Sequence, residues 1–156
     1  MTTGWNLNGA LAALNNNAQI KSSGWCARYV RTAIEAGGVS TAGRPASAYL
    51  YTSFLPKIGF NLVTTLFGKS AQAQWSSSDA KQGDISVMSH GQHGHICMWN
   101  GRQWVSDFFQ NNMWPYSGDG TCAIYRWDGV LNNTTAYQFP PTPWQQGGSI
   151  NSSGGG

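Results

Sequence analysis

From Gly83 onward the chain reads as one strand after another, and that run most limits the folds open to it. Asp84 to Met88 and His95 to Trp99 are apolar-rich runs, Asn100-Gly101 is a turn, and Gln103 to Phe108 and Cys122 to Trp127 follow as further strands. Asn-Gly between two such runs is the strongest short-range hairpin signal, because both residues tolerate the positive φ of a tight turn. The helical signals lie earlier. Leu7, Leu11 and Leu14 recur at helical spacing before Asn15-Asn16-Asn17, which predicts a brief first helix. Ser22 or Ser23 can cap a second helix, in which Cys26, Tyr29, Val30, Ala33 and Ile34 share one face and which Gly37-Gly38 stops. Cys26 then falls in the first turn, on the side facing the core. Ala46 to Phe54, after Pro45, reads as another helix, and Gly59 to Leu66 as a short extended piece. The pattern predicts an α+β chain in which the Cys26 helix packs on a small antiparallel sheet. Residues 1–140 are expected to form a single domain, and 141–156 a loose tail rich in Pro, Gly and Ser.

A chain of 156 residues can bury one real core but is too short for two ordinary domains. Only 10% of its residues are charged, so solubility rests on neutral polar groups, as suits a secreted or sugar-facing protein. The net charge of +3 is spread over scattered Lys and Arg with no basic stripe, which argues against nucleic-acid binding. No apolar run is long enough to span a bilayer, and Met1-Thr-Thr-Gly-Trp-Asn lacks the basic start and apolar core of a secretory signal. Neither membrane insertion nor export by that route is therefore expected. Three cysteines, Cys26, Cys97 and Cys122, leave at least one thiol unpaired under any disulfide scheme; whether Cys97 and Cys122 pair is left open.

An odd thiol at a helix start invites a catalytic reading. A thiol attacks as thiolate, and the dipole of a helix N-terminus and a nearby histidine both favour that form. Cys26 meets the first condition and His95, opening a strand, is the candidate base. Asp107 lies twelve residues after His95 across the Asn100-Gly101 turn, where the two are expected to be cross-strand neighbours. That places a carboxylate to orient the imidazole, completing a set of nucleophile, base and orienter. Cys97, two residues beyond His95 on the same strand face, and Cys122 read as buried core.

Two other classes compete. His90, His93, His95 and Cys97 fall within eight residues and offer a zinc hydrolase, although their spacing matches no standard ligand pattern and no nearby carboxylate supplies a base. Eight tryptophans offer a non-catalytic module that stacks sugars on aromatic faces. Neither needs Cys26 at a helix start with a histidine and a polar partner elsewhere.

Three motifs, taken in order, resemble the NlpC-type and CHAP-type cell-wall hydrolases, which are papain-like cysteine enzymes. Trp25-Cys26-Ala27-Arg28-Tyr29-Val30 looks like their nucleophile helix, Gly83-Asp84-Ile85-Ser86-Val87 like their Gly-Asp strand, and Gly94-His95-Ile96-Cys97-Met98 like their Gly-His strand. The chain departs from these relatives in having Trp25 before the nucleophile and Asp107 in the third position. The resemblance implies a papain-like fold and catalysis by Cys26, His95 and Asp107 without cofactor or metal. The implied reaction is hydrolysis of a peptidoglycan amide bond, either within the stem peptide or between muramic acid and L-alanine. A stand-alone domain without a signal also resembles antibacterial amidase effectors of type VI secretion. That resemblance implies a monomer delivered from the producing cytoplasm into a rival's periplasm, with a cognate immunity protein as partner.

Overall fold

Helix α1 (Leu7–Asn17) begins where the Asn6 side chain accepts the Gly9 N–H at 3.0 Å, satisfying a donor that the first turn leaves unpaired. Its buried face is Ala10, Leu11 and Leu14, the expected helical spacing. Helix α2 (Cys26–Ala36) buries Cys26, Ala27, Val30, Ala33 and Ile34 and packs against α1. Its start differs from the serine cap expected. Trp25 holds the cap position with no side-chain cap bond, and Ser22 and Ser23 give their hydrogen bonds to Asp107 instead. A buried carboxylate outcompetes the local helix end for both hydroxyls. Gly37 ends α2 where a Cβ would lie 2.6 Å from the Trp5 ring.

The computed structural model describes residues 4–116, 118–129, 131 and 136–139, so the expected tail at 141–156 lies outside the described residues. The helix expected over 46–54 starts later and runs further, as a 3₁₀ turn at Ala48–Leu50, α3 (Tyr51–Phe54) and a second 3₁₀ turn at Leu55–Ile58. Pro56 sits in the first turn of that last piece, where its missing N–H costs nothing, and Gly59 stops it at φ +106°. β1 (Phe60–Phe67), the short α4 (Ala71–Gln74), β2 (Ile85–Ser89), β3 (His95–Trp99), β4 (Trp104–Val105) and β5 (Thr121–Trp127) complete the fold. The strands form a five-stranded antiparallel sheet in the order β1-β5-β2-β3-β4, so the last strand in sequence lies in the interior. The chain is α+β, with α2 against the sheet, as its sequence predicts.

Side chains alternate across the sheet and build a core on each face. Ile85, Val87, Ile96, Met98 and Tyr125 join α1, α2 and the 48–55 segment. Met88, Cys97, Trp99, Cys122 and Ile124 join Trp104, Met113 and Trp114 on the other face. Asp84 does not enter the site; it is buried and takes Arg126 in a fork, with Nε to Oδ1 at 2.8 Å and Nη2 to Oδ2 at 2.7 Å.

The hairpin is shorter than expected. Its loop spans 100–103, with the N–H groups of Arg102 and Gln103 donating to Asn100 Oδ1 and Gly101 at φ +106°. Only Met98↔Val105 and Trp99↔Trp104 pair, so the strand expected over Gln103 to Phe108 is cut to two residues. The chain then doubles back through the Val105↔Phe109 bridge. That leaves the edge of β3 from His95 to Cys97 uncovered by β4.

Gly94 sets the entry into β3. It has φ +71°, and a Cβ there would come within 2.4 Å of the Met88 carbonyl and 2.8 Å of Tyr49 Cβ. Gly94→Ala is expected to cost about 1–3 kcal/mol from backbone strain and overlap, read as a lowered midpoint in denaturant.

Candidate active site

Cys26 reaches β3 at that uncovered edge. Trp99 N–H donates to Asp84 O, toward β2, so the alternation of N–H directions along β3 aims Ile96 N–H at the free edge. The Cys26 sulfur takes that N–H, one residue beyond His95. Burial pushes the thiol up to about 12; the N–H groups of Ile96, Ala27 and Cys26 itself pull the other way, and the nearby charge of Asp107 adds to the rise. The backbone N–H groups favour a thiolate, but burial outweighs them and the protein holds a neutral thiol at 1% exposure.

His95 is also buried, and its protonation pattern follows from its neighbour. Gln110 Nε2 donates to the carbonyls of Asn112 at 2.9 Å and Met113 at 3.3 Å, so the amide oxygen faces the imidazole. His95 Nε2–H donates to that oxygen at 2.7 Å. The lone pair is left on Nδ1, which is buried and has no hydrogen-bond partner among the described residues. Desolvation lowers the ring below its ordinary value, against the opposing pull of Gln110 and the charge of Asp107. The ring packs near Phe108 and Tyr116. By the pleat it shares its face with Cys97 and Trp99, whereas Cys26 belongs to the opposite core.

Asp107 is placed differently from the cross-strand position expected of it. Its Oδ2 accepts the N–H groups of Ser23 at 2.5 Å and Gly24 at 3.0 Å, and the hydroxyls of Ser22 and Ser23 at 3.1 Å each. The pairing of β3 with β4 stops before it reaches either residue, which is why the twelve-residue spacing does not translate into register. Asp107 instead anchors the loop entering α2, and its charge acts on both Cys26 and His95.

The group that bonds His95 is Gln110, which the sequence reading missed. Its one local signal is a polar residue following Phe108-Phe109 that is fully buried, at 1% exposure. Its contact with His95 needs the fold-back after β4, where Gln110 N–H donates to Trp104 O.

The histidine cluster is dispersed. His90 stacks on Tyr116 and lies beside the Asp119 carbonyl, His93 Nδ1 pairs with Ser47 Oγ at 3.2 Å, and His95 is held by Gln110. No group of three His, Cys, Asp or Glu able to hold a metal exists among the described residues. Cys97 and Cys122 are buried free thiols, the latter 2.9 Å from Ser86 Oγ.

No protein-family model matches the chain, and no curated protein sequence does. Solved structures do. The native type VI effector–immunity complex Tae3–Tai3 from Ralstonia pickettii contains a chain 30% identical, with a TM-score of 0.63 over 79% of this chain and 99% of that one. Its selenomethionine form matches at 30% identity and a TM-score of 0.57, over 72% and 97%. This chain belongs to the Tae3 family of type VI effectors. The match spans essentially the whole of that relative, so the α+β fold is the family's own.

Two solution measurements check the state of this Tae3-family histidine. ¹⁵N spectra are expected to show the His95 proton on Nε2, and Gln110→Ala to give mixed tautomers. Because the folded ring titrates below its unfolded value of about 6.5, its contribution is complete above that pH and is lost as pH falls through the window below it. Thermal melts of His95→Gln should accordingly fall less steeply in that window than those of the parent.

Proposed function

We propose that the chain is a cysteine hydrolase that cuts an amide bond of bacterial peptidoglycan, with Cys26 as nucleophile and His95 as base. The observation that carries this is the Gln110–His95 bond, which leaves the Nδ1 lone pair of His95 without a partner among the described residues, one residue before Ile96, whose N–H meets the Cys26 sulfur. The Tae3 effector bound by its immunity protein supports the antibacterial setting. Delivery is by type VI secretion into the periplasm of a rival cell, and a cognate immunity protein protects the producer.

The neutral resting pair favours general-base attack over a preformed ion pair. His95 Nδ1 takes the Cys26 proton as sulfur bonds to the amide carbon, and the backbone N–H groups at the start of α2 stabilise the oxyanion. The C–N bond breaks as His95 returns the proton to the leaving amine, leaving a thioester. Water, deprotonated by His95, attacks the thioester; the acid product departs and the thiol is restored. Gln110 keeps Nε2 as donor throughout. Asp107 is a positioning residue: it fixes the loop before Cys26, and its charge supports the transient imidazolium.

Digestion of purified sacculi tests this reading. The wild type should release soluble muropeptides whose masses identify the bond, with an acid limb of kcat/KM below pH 6.5. Cys26→Ala should be inactive, His95→Ala slower by about 10²–10⁴-fold, and a chelator without effect. Undigested sacculi with folded wild type, or full activity in Cys26→Ala, overturns it.

A further inference from the structure

A cleft of about 370 Å³ runs beside the nucleophile, lined by Trp25, Ala27, Arg28, Arg31, Arg44 and Tyr51 among others. Trp25 and Ala27 flank Cys26 in sequence. Tyr51, at 1% exposure, forms part of the wall; burial raises its hydroxyl, Arg31 and Arg44 pull it down, and Glu35 and Cys26 push it up. Arg31, Arg44 and Tyr51 thus line one cleft with Trp25 and Ala27, the two residues that flank Cys26 in sequence.

The charge there is poorly balanced. Glu35 contacts Arg31 at 3.5 Å, a long, partly exposed pair, and also accepts the Thr41 hydroxyl. Arg28 and Arg44 are exposed and make no ion pair among the described residues. Three of the nine Lys and Arg residues thus line one concavity. Guanidinium groups recognise carboxylates by paired N–H donors, and a concave wall concentrates their field. In peptidoglycan the stem peptide carries free carboxylates close to its amide bonds, whereas the sugars present mainly hydroxyl and acetamido groups.

We propose that this three-arginine cleft binds a free carboxylate of the stem peptide and so sets the neighbouring amide carbonyl against Cys26. The assignment rests on the cell-wall reading above and names the part of the polymer the site grips: the anionic peptide, not the glycan.

The test uses two soluble muropeptides of the same sequence, one with free stem carboxylates and one with those groups converted to carboxamides. Wild type should cleave the carboxylate form with a KM about 10–100-fold lower. Arg28→Gln/Arg44→Gln, with an unchanged melting temperature, should raise KM for the carboxylate form by a similar factor, leave kcat within a few-fold, and abolish the discrimination. Calorimetric binding to Cys26→Ala is measured in parallel at low and high salt, and should weaken with salt for the carboxylate form. Equal KM values for the two forms in wild type, or an unaltered KM in the double variant, overturn the proposal. If wild type cleaves neither form, the cell-wall activity fails. Selective binding of the carboxylate form by Cys26→Ala then still upholds the cleft, and equal or absent binding sinks it.

Discussion

One buried carboxylate organises the site. Asp107 collects two backbone N–H groups and two hydroxyls from residues 22–24, and so ties the entrance of α2 to the fold-back after β4. The backbone reinforces the tie, since Gln19 N–H donates to Asp107 O and Phe109 N–H to Gln19 O. All four bonds fall on Oδ2, while Oδ1 is buried with no hydrogen-bond partner among the described residues; several charge-assisted bonds from one loop to one oxygen make that loop's position nearly unique. Cys26 follows immediately, so its place at the edge of β3 is inherited from this anchor.

The second constraint is the early end of β4. A full-length partner would have paired the edge of β3 and filled the space where sulfur meets Ile96 N–H. By turning back after Val105, the chain exposes one strand N–H to Cys26 and brings Gln110 under the imidazole. The same fold-back thus supplies both groups that tune the pair. Desolvation acts on the two in complementary ways: it favours the neutral thiol of Cys26 and the neutral imidazole of His95. A neutral pair costs less to bury than an ion pair, which is consistent with a site closed at rest.

Much of this was legible in sequence. Periodicity located α1, α2 and the strands within a few residues, because amphipathic faces and Asn-Gly turns act over short distances. It also marked Cys26 at a helix start and His95 at a strand start. The hairpin register was not legible: whether a strand continues past two pairs depends on what lies beside it, and here the 22–24 loop claims Asp107. The serine cap failed for the same reason, since the hydroxyls found a stronger acceptor 84 and 85 residues away.

The sequence by itself determined the α+β class, the helix bearing Cys26 and the strand opening at His95, since these follow from local periodicity and backbone preference. Only the tertiary structure decided which polar groups serve them. Gln110 took the place beside the imidazole that spacing implied for Asp107, and Asp107 went to the 22–24 loop, because a hydrogen bond is set by where two atoms meet in space, and a single early turn in β4 moved both.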